Sequence, residues 1–326
     1  RYIYFMTINA NLGALVAGIC LVSVNACLYD VLAAVESTGI NEAFNQALLS
    51  SAMPFGGIFG SLIASFTTGK LGRRKTMILA DYLTIAGSIL SIMSRFRLIL
   101  AGRILCGICA GINYMAVPLY VREMSPPEMS GKTGAIYRLA FASGVFLTFL
   151  MSFGLAKTPS ADDIWWRVIF LTPCVFAILR IVGFMCWVRL DTPRYYIFEF
   201  NHRDAIDSLK MIYQDEYVPK IYESEKKVER AQNISDILGY KYRNQVKVLM
   251  LLYCISQFTG SSALTFYSTM IFTQSQDDDS GNSDIDAVNQ LNLILAVMKI
   301  FSALVGGVLA DKLGRRPLLV YGNIAI

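Results

Sequence analysis

The sequence predicts an all-α membrane protein, and three observations carry that prediction. The 326 residues are 55% hydrophobic and only 16% charged, whereas soluble domains carry about 25% charged residues. The apolar residues gather into eight runs near the roughly 20 residues a helix needs to cross a bilayer. A basic turn, Gly69-Lys70-Leu71-Gly72-Arg73-Arg74-Lys75, returns far along the chain as Asp311-Lys312-Leu313-Gly314-Arg315-Arg316-Pro317. Each copy directly follows an apolar run, the pattern of two related halves.

The first span is read at 10–35, in a region free of charge from Tyr2 until Asp30. Spans two to six follow at 48–68, 77–94, 98–121, 133–156 and 168–188. A polar stretch, 191–247, separates them from span seven at 248–272 and span eight at 287–309. Leu318 onward reads as the start of a ninth, cut off at Ile326. Helices are preferred to barrel strands because the runs are long and apolar on every face. The polar stretch has helical spacing at Ala205, Ile206, Leu209 and Ile212. It also has helical charge pairs through Glu223, Lys227 and Arg230, so it reads as a linker with short surface helices. The predicted division is a six-helix bundle at 1–190, a linker at 191–247 and an incomplete second bundle at 248–326.

Loop charge sets the predicted orientation. Lys70, Arg73, Arg74, Lys75, Arg122, Lys132, Lys312, Arg315 and Arg316 all fall in loops after even-numbered spans, and the linker is also basic. The even loops, linker and N-terminus are therefore predicted to be cytoplasmic. The sequon Asn233-Ile234-Ser235 then lies inside and stays unmodified. The net charge of +5 sits in loops and forms no nucleic-acid face. All seven cysteines fall in apolar runs, which argues against a disulfide framework. Cys106-x-x-Cys109 lacks a second pair or a His and reads as packing. No metal cluster, nucleophile–base pair or phosphate loop is present and the lone His202 lies in the linker. The reading is of a non-enzyme with no cofactor and no metal.

Several motifs together resemble the sugar porter family of the major facilitator superfamily. They are the two basic turns, Gly102-Arg103-x-x-x-Gly107-x-x-x-Gly111, Pro118-x-Tyr120-x-x-Glu123, Trp166-Arg167, Thr192-Pro193-Arg194 and Phe266-Tyr267-Ser268-Thr269. They occur in family order along the whole chain. The resemblance implies the major facilitator fold, with twelve spans in two six-helix bundles. The chain, which begins at Arg1, then reads as truncated at its C-terminus. It also implies a plasma-membrane transporter of a hexose or related polyol working by alternating access, as uniporter or proton symporter. A non-transporting sugar sensor on the same fold is the alternative class.

The resemblance also implies roles for particular residues. Arg73, Arg74, Arg315 and Arg316 can grip carboxylates in a fork, and with Glu123, Asp191 and Asp311 they form a candidate cytoplasmic gate. Simple anchoring of the basic turn to anionic lipid fits as well. The first turn has Gly69 where the family has an acid, and Leu190-Asp191 replace Pro-Glu. Five charges fall inside spans: Asp30, Arg103, Arg138, Arg180 and Lys299. Such charges are costly at bilayer depth, which makes them functional candidates. Asp30 with Arg103 matches the proton-coupling pair of coupled relatives, although a static ion pair is an equal reading. A further coupling acid is absent, with Phe170 in its place. The sugar-contacting amide positions fall on Arg138, Ser256, Gln257, Ser262 and Lys299, so Gln257 is the one amide kept. Arg138 and Lys299 facing one cavity would suit an anionic or acidic sugar-like solute. Neutralisation by an acid, or snorkelling of Lys299, would leave an ordinary hexose. Arg180 has no assigned role, and Asp81 is expected to pair with a nearby basic loop residue.

Overall fold

In a computed structural model, residues 2–35, 40–126, 129–155, 164–226, 243–280, 285–314, 317 and 322 are described. Their regular structure is helical. The first group comprises α1 (Tyr2–Ala26), α2 (Leu28–Ala34), α3 (Ile40–Lys70), α4 (Arg73–Ser91), α5 (Phe96–Glu123), α6 (Ser130–Ser152) and α7 (Trp165–Cys186). Short helices α8 (Pro193–Phe198), α9 (His202–Ile212) and α10 (Val218–Lys226) follow. Then come α11 (Arg243–Phe258), α12 (Ser261–Ser280) and α13 (Ile285–Leu313).

Seven segments among the described residues are long and apolar enough to span a bilayer, with α11 and the start of α12 acting as one. Helix α4, the predicted third span, is not among them. The basic turn supplies its first three residues and Asp81 interrupts its middle, so its apolar run is short. The predicted first span also divides: the backbone leaves helical geometry at Cys27 (φ −127°, ψ 32°), which puts Asp30 on the separate helix α2. The seventh breaks at Gly260, where φ is +71°. The linker helices form for local reasons. Thr192 caps α8 with Pro193 in its first turn, and Asn201 caps α9. The sequon at Asn233 and the ninth span lie outside the described residues.

Helix α5 is central, packed against α3 on one side and α4 on another, while α1 packs on α6 and α7 on α4. The glycine run on α5 explains the close approach. A Cβ on Gly107 would meet the Met53 carbonyl, and one on Gly111 the Gly57 carbonyl, so these two turn towards α3. Gly102 instead faces Gly87 and Ser91 of α4. The run therefore serves two neighbours. Outer faces are apolar: Phe55, Ile58, Phe59, Leu62 and Phe66 on α3, and Val175, Ile178 and Val182 on α7, are exposed. Exposed apolar surface of this extent fits contact with lipid. Contact between the two groups of helices runs through α6 on α13 and α1 on α12.

Candidate functional site

The basic turn is built around Gly72, whose φ of +88° suits glycine. Helix α4 starts there with no side-chain cap of its own. Asp191, 118 residues beyond Arg73, supplies the cap instead. Its Oδ1 accepts from the backbone N–H of Arg73 (3.2 Å) and Thr192 (2.7 Å), and Oδ2 from Arg74 N–H (3.0 Å). A carboxylate suits the positive end of a helix dipole. Burial pushes the Asp191 carboxyl up from its ordinary range, and the N–H donors with the Arg73 charge offset this only in part. A Cβ at Gly72 would strike Asp191 Oδ2, so this glycine is required for room as well as for φ.

The turn's arginines also stay within the first helix group. Arg73 Nη2 pairs with Glu123 Oε1 at 2.8 Å. Arg74 donates to the carbonyls of Val188 and Phe184, both at 2.7 Å. Of the predicted gate, the structure thus brings together Arg73, Arg74, Glu123 and Asp191, and braces one bundle with them. Arg315 and Arg316 lie outside the described residues, as does the Asp311 side chain.

Arg180 and Asp81 correct the sequence reading. Asp81 pairs with Arg180, on the distant helix α7, and not with a loop residue. Arg180 Nη2 lies 2.6 Å from Asp81 Oδ1, both side chains are 0% exposed, and Nε lies 2.8 Å from Oδ2. Nη1 donates to Asn113 Oδ1 at 2.9 Å and to the Ala10 carbonyl, and Nη2 to the Met77 carbonyl at 3.2 Å. One guanidinium thereby joins α1, α4, α5 and α7. Gly13 makes room for it, since a Cβ there would overlap Nη1. Only the two charges were visible beforehand; their 99-residue separation hid the pairing.

Asp30 and Arg103 are both buried, and both lie within electrostatic reach of the Cys27 thiol. Arg103 donates to Ser23 Oγ (2.8 Å) and to the Cys20 carbonyl (2.6 Å), and its guanidinium carbon stands 5.7 Å from the centre of the Phe170 ring. Phe170 therefore covers the arginine at the position where coupled relatives are expected to have an acid.

A cavity of about 620 Å³ opens between α3 and α5 on one side and α11 and α12 on the other. Gln257 and Ser262 both line it, with Tyr114, Tyr253 and Phe266. They flank the break at Gly260, where one helix ends and the next begins; half-helix ends of this kind serve ligand sites in transporters. Ser256, Arg138 and Lys299 do not line this cavity. Ser256 bonds the Tyr253 carbonyl, Arg138 is exposed on α6, and Lys299 donates to Thr265 Oγ1. The reading of two cations facing one cavity, on which an anionic solute rested, gains no support from this cavity, and Lys299 donates to a neutral hydroxyl on the neighbouring helix.

A polar network that sequence reading missed closes the end opposite the basic turn. Asn25 of α1 donates to Ser268 Oγ (2.7 Å) and the Thr265 carbonyl (3.2 Å) of α12, and accepts from Thr269 N–H (3.3 Å). Asn292 of α13 bonds Ser268 and Thr269, and Ser152 of α6 bonds Asn289. All these side chains are buried. Asparagines recurring within apolar runs at 25, 289 and 292 were the available signal.

A family profile described as "Sugar (and other) transporter" matches residues 13–326. The chain belongs to that family. Within it, the curated relatives are transporters. Hexose transporter 1 of Toxoplasma gondii is 27% identical over 296 residues, covering 85% of this chain and 51% of the relative. Facilitated glucose transporter member 2 of Gallus gallus is 29% identical over 81% of this chain and 50% of its own length. The chain spans about half the length of these relatives. Among solved structures, the proton:xylose symporter XylE bound to 6-bromo-6-deoxy-D-glucose superposes with a TM-score of 0.80 at 18% identity. That match covers 97% of this chain and 71% of the symporter. A partially occluded inward-open form from E. coli superposes at 0.78. The fold is the all-helical major facilitator fold of a multi-pass membrane protein.

Proposed function

We propose that this chain is part of a sugar porter that moves a hexose or related polyol by alternating access. The observation that carries the reading is the cavity at the Gly260 break, where Gln257 and Ser262 meet. An amide and a hydroxyl both donate and accept, as neutral polyols require. The cavity lies between two groups of helices whose opposite end is held by Asn25, Ser268 and Asn292. Exchange of such contacts between the two ends is what rocking of two bundles demands. We read the bundles as 1–190 and 248–326, joined by 191–247, with the basic turns and linker on the cytoplasmic side of the plasma membrane. Asp30 and Arg103 form the proposed coupling pair, since a carboxylate's proton affinity rises on desolvation and falls beside a cation.

Uptake of labelled D-glucose by the full-length protein in transporter-null cells tests the reading, with counterflow in proteoliposomes. Saturable uptake that falls on Gln257→Ala is expected, and absence of both uptake and counterflow refutes it. Asp30→Asn should abolish accumulation against a gradient while leaving counterflow, and undiminished accumulation removes the coupling role.

A further inference from the structure

The cavity extends past the predicted sugar contacts towards the basic-turn end. Tyr253 precedes Gln257 by four residues on α11, so the two share one face about one helical turn apart. Tyr114 of α5 stands across from it, and both rings line the cavity with exposures of 68% and 44%. The two hydroxyls are within electrostatic reach of each other. The Tyr114 ring is steadied by Phe141, centroid to centroid 5.8 Å.

We propose that Tyr114 and Tyr253 form a second, tyrosine-walled subsite for a neutral sugar ring, one helical turn from Gln257 on the basic-turn side. The inference deepens the transport reading above and rests on it. Tyrosine suits the task because its face takes the C–H surface of a pyranose and its hydroxyl both donates and accepts. The two rings come from α5 on one side and α11 on the other. The subsite is therefore complete only while the two groups of helices hold this spacing. It would hold a sugar on its way between the amide at Gln257 and the basic-turn side.

The test uses the full-length protein in proteoliposomes, with D-glucose and its monodeoxy series as probes. Tyr253→Phe and Tyr114→Phe keep the ring and remove only the hydroxyl. Each should raise KM for glucose about 3- to 10-fold, the loss of one hydrogen bond, with kcat within about twofold. For one deoxyglucose the penalty of the sugar change and that of Tyr253→Phe should not add, because both delete the same bond. Unchanged KM in both variants, or penalties that add for every deoxyglucose, overturns the subsite. Equilibrium glucose binding to detergent-purified protein separates this result from failure of the parent reading. A wild type that binds but does not transport removes the transport reading alone, and the same variants then decide the subsite through Kd. A wild type that neither binds nor transports any of these sugars overturns both.

Discussion

Removing Arg180 alone should be among the most damaging single changes in the first helix group. Arg180→Met preserves much of the stem but strands the Asp81 carboxylate, which is 0% exposed and loses a contact of 2.6 Å. Breaking a buried pair from one side costs about 3–5 kcal/mol, because the surviving charge has neither partner nor water. The Asn113 carbonyl and the Ala10 and Met77 backbone carbonyls lose their donors as well. Asp81→Leu should cost a similar amount by leaving the guanidinium uncompensated. The double variant Asp81→Leu/Arg180→Met should recover most of the loss, since apolar replacement of a whole buried pair is often neutral or stabilising by about 1–4 kcal/mol. Unfolding free energies of the purified protein, measured by SDS titration in mixed micelles, give the four corners of the cycle. A cost below about 1 kcal/mol for Arg180→Met, or a double variant as unstable as the sum of the singles, would refute the reasoning.

Gly13→Ala should destabilise by about 1–3 kcal/mol through overpacking against the guanidinium, and the same titration should show that penalty shrinking in the Arg180→Met background. Gly111→Leu would push α5 off the Gly57 carbonyl of α3, so a cross-link between cysteines placed on those helices should form more slowly. Cutting the 2.8 Å pair with Arg73→Ala leaves Glu123 partly buried without its cation; thiol labelling near the basic turn should speed up, and equal labelling rates would count against a bracing role. Asp191 has a raised folded pKa, so its linkage to stability favours acid. That contribution is full below the unfolded value of about 3.9 and is lost as pH rises through the folded one. Stability measured against pH should therefore show the wild type gaining on Asp191→Asn as pH falls through that window.

The placement of the candidate site residues was legible to different depths. Gln257 and Ser262 could be found because they keep a spacing to a motif, and both do line the cavity. Arg138, Ser256 and Lys299 occupy equally clear positions in the sequence, yet they lie outside it. A residue's address along a span does not say which way its side chain turns once the neighbours pack. Arg73, Glu123 and Asp191, with Arg74, lie together at one end of the first helix group. Asp191 as the remote cap of α4 was not foreseeable, because α4's open N–H groups and the carboxylate that meets them lie more than a hundred residues apart.

By itself the sequence determined that the chain is helical and membrane-borne, and which family it belongs to. Those properties follow from apolar run length, from the rule that backbone groups in lipid must bond internally, and from local motifs. Only the tertiary structure decided which charges meet. Asp81 and Arg180 each look like a solitary liability in an apolar run. Packing of α1, α4, α5 and α7 brings them within 2.6 Å, beside a glycine that leaves the space. Electrostatic pairing depends on distance in space, and distance along the chain does not encode it.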